Sequence, residues 1–125
     1  MAGLAVVPFE ALTPDAESAG QARQLTDLLV ADLSKLDGVQ VLSPSTVRRH
    51  QRVGMSMGFM GRLLGLDVLV EGAVHTAAGR LSATARLVDV HTGKVIWAEN
   101  YDRPAAEAAG QIAAQIGLHL ARTKH

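Results

Sequence analysis

The chain has 125 residues, the size of one domain, and its 48% apolar content is enough for a core without disulfides or bound metal. Twelve Lys and Arg balance twelve Asp and Glu, so the formal charge is zero and no global field draws the molecule onto nucleic acid or an anionic membrane. The absence of cysteine excludes thiol catalysis, thiolate metal sites and disulfides, and 3% aromatic residues is thin for base stacking or a sugar-binding cleft.

The first apolar run, Leu4 to Phe9, has no positively charged residue before it and is interrupted by Pro8, so neither a signal segment nor direct membrane insertion is expected. Its near-continuous apolarity predicts a strand covered on both faces. Residues 10–19, with Thr13-Pro14-Asp15, read as a loop. From about Ala19 to Leu36, Leu25, Leu28, Leu29, Leu33 and Leu36 recur at spacings of three and four, which predicts an amphipathic helix closed by Gly38. Val39 to Leu42 is a short buried strand. Ser43-Pro44 then starts a short helix to about His50, and a second helical stretch spans about Ser56 to Leu64, stopped by Gly65.

Three strands follow. Asp67 to Thr76 leads into the turn Ala77-Ala78-Gly79-Arg80. In the next strand Leu81, Ala83, Ala85 and Leu87 alternate with Ser82, Thr84, Arg86 and Val88, giving one apolar and one wetter face. A turn at Asp89 to Lys94, with Gly93 at the positive φ, precedes a strand over Val95 to Tyr101. Pro104 opens a terminal helix to about Arg122, with Ile112, Ile116 and Leu120 on one face. The fold class is therefore α/β: a small mixed-sheet sandwich, order β-α-β-α(α)-β-β-β-α, in one domain over residues 1–125. The first strand should lie centrally, between the second and third, parallel to the second, and the open face of the meander should be covered weakly or not at all.

Candidate chemistry is sparse. Gly54, Gly58, Gly61 and Gly65 lack the Gly-Lys-Ser/Thr ending of a phosphate loop and do not directly follow a strand. On a helix they would share one face and serve close packing or, as the alternative, a self-association face. The basic run Arg48-Arg49-His50-Gln51-Arg52 reads first as a solvated helix end, and otherwise as a contact for an acidic protein or phospholipid partner or for nucleic acid. No two histidines have i, i+4 spacing; His75 and His91 flank the same hairpin and are expected at exposed hairpin ends. Glu71 and Glu99 are expected on the wetter sheet face, paired there with Arg86. Trp97 and Tyr101 share a face: either a core anchor or a half-exposed pair that could hold a partner. No cofactor, metal site or catalytic constellation is expected. The candidate interaction surface is Arg48, Arg49, Arg52, Trp97 and Tyr101.

Several segments resemble one family. Val6-Val7-Pro8-Phe9-Glu10, Leu25-Thr26-Asp27, Leu33-Ser34-Lys35-Leu36, Gly61-Arg62-Leu63-Leu64-Gly65, Glu71-Gly72 and Leu87-Val88-Asp89 leading to Thr92-Gly93 are similar to the TolB-like amino-terminal domain of bacterial signalling proteins. Trp97-Ala98-Glu99-Asn100-Tyr101-Asp102-Arg103 is the most specific of them. The chain departs from the family at Gln24, where a Gly is usual, at Ser82, often an Arg, and at Gly54 and Gly58.

The resemblance implies an α/β domain excised from a larger protein, set between tetratricopeptide repeats and an effector such as a winged-helix regulator, a nucleotide cyclase or a kinase. It implies a regulatory or protein-interaction module, partnered by neighbouring domains or by a second copy, with no nucleic acid bound by this domain. A small-ligand or nucleotide receptor, or an assembly component of a cell-envelope complex like the curli and flagellar lipoproteins, are the alternatives. A membrane helix ahead of the domain would place it in the periplasm, and otherwise it belongs in the cytoplasm.

Overall fold

A computed structural model of the chain describes residues 2–51 and 56–122. Its elements are β1 (Ala2–Val6), β2 (Glu10–Ala11), α1 (Ala16–Leu33), β3 (Val39–Leu42), α2 (Pro44–Gln51), α3 (Met57–Leu63), β4 (Val68–Ala77), β5 (Arg80–Asp89), β6 (Val95–Tyr101) and α4 (Ala105–Arg122). One mixed sheet runs β3-β1-β4-β5-β6, with β2 beside β4. β1 is central and parallel to both β3 and β4, and β4, β5 and β6 form the antiparallel meander. The α/β class, the central first strand and the meander are as the sequence predicts.

The segment expected to be a loop contains β2. After β1 the chain arches through Val7-Pro8-Phe9 and rejoins the same neighbour, so that Val7 N–H donates to the Val70 carbonyl and Leu12 N–H to that of Val74, both at 2.8 Å. Thr26 Oγ1 accepts the Phe9 N–H at 3.0 Å, leaving that buried amide satisfied. A two-residue strand carries no period to read, so sequence patterning passes over it. The same arch explains Gly72: a Cβ there would sit 2.6 Å from the Phe9 ring and inside contact distance of the Thr84 carbonyl.

α1 begins three residues earlier than the leucine spacing indicates. Asp15 caps it, accepting the Ser18 N–H at 2.8 Å and a bond from the Thr13 hydroxyl. Together these hold its carboxyl at about 2, below the usual carboxylate range, with the Thr13 hydroxyl the larger cause. α1 also ends sooner, at Leu33, although Leu36 still packs against the core.

Two apolar layers flank the sheet. On one face Leu25, Leu29 and Leu33 of α1 and Ile112 and Ile116 of α4 pack on Leu4, Val6, Val70, Val74 and the inward residues of β5. On the other, α2 and α3 insert Val47 and Met60 against Ala5, Leu69 and Val90. Leu4, Ala5 and Val6 are therefore fully buried, as expected of a strand covered on both sides. The second layer stops there. Ser82, Ala98 and Asn100 stay exposed and His75, Thr84 and Arg86 half-buried, so the meander's outer face is open. The β4–β5 hairpin closes through Ala78 and Gly79, both at positive φ (53° and 76°), which matches the right-handed twist of the strands.

Candidate functional site

The predicted interaction residues fall in two separate places. Arg48 and Arg49 are exposed on α2, with Arg49 Nη2 donating to Thr46 Oγ1 at 3.2 Å; Arg52 lies outside the described residues. Trp97 and Tyr101 are far from them in the fold, on edge strand β6. Their strand partners are Leu87 and Ala83, which point to the α4-covered face. Tyr101 is only 8% exposed, and burial together with the Glu99 carboxylate pushes its hydroxyl above the ordinary value of 10. Trp97 is half-buried, its ring centroid 6.4 Å from Tyr101 and 6.0 Å from His119. The pair thus takes the core-anchor position, and the surface left to a partner on β6 is the outer edge of Trp97. A register irregularity contributes: Val88 faces Val95 and Leu87 faces Trp97, leaving Ile96 as an extra residue that also packs toward the core.

Two carboxylates expected together are on opposite faces. Glu71 opposes Arg86 on the open face, Arg86 Nε donating to Glu71 Oε1 at 3.2 Å. Glu99 opposes Ala85, whose side chain is in the helix-covered core. The two histidines that flank the same hairpin in sequence are also apart. His75 opposes Ser82 near one end of the sheet, whereas His91 sits in the β5–β6 turn at the other, its Nε2 3.7 Å from Asp67 Oδ1. His75 is half-buried in mid-strand rather than exposed. The sequence distance from each histidine to the nearer turn misleads because the two turns close opposite ends of the meander.

Of the two glycines in α3, Gly61 serves close packing, whereas a Cβ on Gly58 would meet only ordinary contacts. A Cβ on Gly61 would lie 2.6 Å and 2.9 Å from the two Val90 methyls, so this glycine lets the helix close on the turn that follows β5. Gly65, with φ of +72°, follows the helix and is not on its face; Gly54 lies outside the described residues. Ser56 caps α3 by accepting the Phe59 N–H at 3.1 Å. With Met60 and Gly61 facing inward, the helical period turns Phe59, Arg62 and Leu63 outward, and Phe59 and Leu63 are 49% and 59% exposed. This apolar outer face was missed in the sequence, where every apolar residue of the stretch looks like core. The signal was the small residue beside Met60, which marks the inner side.

Two clefts open at the ends of the sheet. One, of about 510 Å³, lies between the start of β4 and the end of α4 and is bordered by Leu36, Asp37, Asp67, Asp89, His91 and Leu120. Two of its aspartates are engaged in the fold: Asp67 accepts the Gly3 N–H at 2.9 Å, and Asp89 accepts the His91 and Thr92 N–H groups at 2.8 Å and 3.1 Å. The other, of about 520 Å³, is bordered by Gln21, Gln24, Arg80, Asp102 and Arg103. Its cations are paired, Arg80 with Asp102 at 3.5 Å and Arg103 with Glu107 at 3.7 Å. Among the described residues no group of His, Asp and Glu is placed to hold a metal ion, and no helix is long and apolar enough to cross a membrane.

These features define a small mixed-sheet α/β sandwich whose uncommitted surface is one sheet face and two helix backs. Residues 1–117 match the family described as the HilA/YgeH-like transcriptional regulator, second domain, and the chain belongs to that family. It is 33% identical over 100 residues to "Putative adenylate cyclase 3" of Rhizobium meliloti (strain 1021), a match covering 80% of this chain and 17% of that protein's length. In fold it is similar to the lipoprotein GNA1162 from Neisseria meningitidis (TM-score 0.65, 20% identity, all of both chains covered). It is also similar to the LpoB C-terminal domain from Salmonella enterica (TM-score 0.66, 18% identity, 82% of both chains). TolB from Acinetobacter baumannii aligns with a TM-score of 0.59 and 15% identity over 98% of this chain and 28% of that one. The TolB-like resemblance read from the sequence thus holds in family and in fold.

Proposed function

We propose that this domain is a non-catalytic interaction module of a longer bacterial signalling protein, presenting sheet and helix surfaces to neighbouring domains or to a second copy. The supporting observation is the half-covered sheet in a regulator-family domain. One face carries two long helices, whereas the meander's other face is left to Glu71, Arg86, Thr84 and Asn100, which pair among themselves (Thr84 Oγ1 to Asn100 Oδ1, 2.8 Å). The short match to a much longer cyclase-named relative supports its being one unit of a larger chain. Regulation would then proceed by contact, with the effector chemistry located in other domains.

Crosslinking and mass spectrometry on the intact parent protein test this. Crosslinks from the 71–100 surface or from α2 and α3 to another domain or copy are expected, and a domain crosslinked only to itself would refute the reading. A second reading, an assembly component of a cell-envelope complex, is favoured by the fold likeness to the lipoprotein GNA1162. An acylated leader cysteine upstream in the intact gene product would support it, whereas an effector domain in the same chain would oppose it.

A further inference from the structure

The outer face of α3 reverses the usual pattern of a surface helix. Phe59 and Leu63, one turn apart, are exposed where a solvated face would be polar. Arg62 lies on the same outer face, and the neighbouring α2, in the same layer, exposes Arg48 and Arg49. This layer therefore exposes two apolar side chains and three arginines. An occupant must bring an apolar side chain flanked by carboxylates.

The chain carries that complement. At β2 and the turn into α1, Leu12 is 65% exposed, the highest value among the large apolar side chains of the described residues. Exposed Glu10, Asp15 and Glu17 surround it in sequence, with no Lys or Arg between residues 1 and 22. Leu12 cannot reach α3 of its own molecule. Its N–H is fixed to Val74 on β4, whereas α3 packs beside the start of that strand; six residues of strand separate Val74 from Val68, about 20 Å. The zero formal charge also leaves no net repulsion between copies at neutral pH.

Building on the interaction-module reading, we infer that the Leu12 segment of one copy docks on the α2–α3 face of a second copy. Leu12 seats on Phe59 and Leu63, with Glu10 and Glu17 facing Arg48, Arg49 and Arg62. Because the two surfaces differ and lie at opposite ends of the molecule, the contact is head-to-tail and can repeat. A membrane is the poorer occupant: two apolar side chains on a short helix are far less than a stable lipid anchor requires.

The experiment is sedimentation of the 125-residue chain up to about 1 mM protein, the weak end of specific association. Mass above the 13.2 kDa monomer is expected, rising with protein and falling with added salt. Leu12→Asp and Phe59→Asp each remove one half of the contact, and each alone should weaken association on the order of tenfold or more, because a charge is placed in an apolar seam. Far-UV circular dichroism should be unchanged, since both positions are exposed. Mixed together, the two variants retain one intact pair of surfaces and should recover a dimer that grows no further.

A chain monomeric to the highest concentration overturns the inference. So does association that survives both substitutions, a mixture that stays monomeric, or uptake by phosphatidylglycerol vesicles that Phe59→Asp abolishes while copies ignore one another. Crosslinks to other domains in the intact parent, alongside any of these, would leave the interaction-module reading standing and remove this contact alone.

Discussion

β5 separates the two faces of the sheet within a single strand. Leu81, Ala83, Ala85 and Leu87 are all at most 6% exposed, locked under α1 and α4; Ser82, Thr84 and Arg86 alternate with them on the open face, and only Val88 at the strand's end packs against the α2–α3 layer. The first face accounts for why the domain folds, and the second is spare. Burial of large aliphatic side chains contributes about 1.5–3 kcal/mol each, whereas partly exposed ion pairs contribute little, so the stability of the domain lies in the larger core under α1 and α4 and the smaller one under α2 and α3, not on the open part of the meander. The outer face can therefore change sequence, or meet a partner, with little effect on folding.

Substitutions can break or sharpen this contrast. The largest effect is expected at Leu29→Ala or Ile112→Ala, both at 0% exposure in the helix-covered core, each costing about 2–5 kcal/mol in urea unfolding. Gly72→Ala comes next, at about 1–3 kcal/mol, because its Cβ must displace Phe9 or part β4 from β5. A Phe9→Leu background should recover part of that loss if the ring is the obstacle. On the open face, a double-mutant cycle of Glu71 and Arg86 should return a coupling below about 1 kcal/mol, since both side chains are about a third exposed. A value near that of the core substitutions would erase the distinction between the faces.

The smallest effect is at the helix cap. Asp15 has its folded carboxyl at about 2, below the ordinary 3.8, so its contribution is fully present above the ordinary value and is lost as pH falls toward 2. Asp15→Asn keeps a capping side chain but removes the charge. Thermal melts should show the wild type losing its small advantage over this variant between about pH 4 and pH 2, with no divergence near neutrality.

Most elements were legible in the amino-acid order because their period was complete. β6 matches its expected bounds, Val95 to Tyr101, and the leucines of α1 and isoleucines of α4 are core as their spacing requires. Gly38 and Gly93 take the positive φ expected of them (76° and 74°). β2 was not legible, because its two residues are strand only through bonding to β4. Of the candidate surface, the exposure of Arg48 and Arg49 followed from charge alone. Which face Trp97 and Tyr101 occupy did not: alternation says they share a face, and only the partner strand and α4 say which one.

Sequence by itself thus determined the local periods, the turn positions and the family, because each depends on residues close together in the chain. Tertiary structure alone decided what is spare. It put Glu71 and Glu99 on opposite faces and His75 and His91 at opposite ends, and it turned Phe59 and Leu63 outward by seating Met60 and Gly61 inward. Exposure is a property of what packs above a residue, and that is set by contacts between segments far apart in the chain.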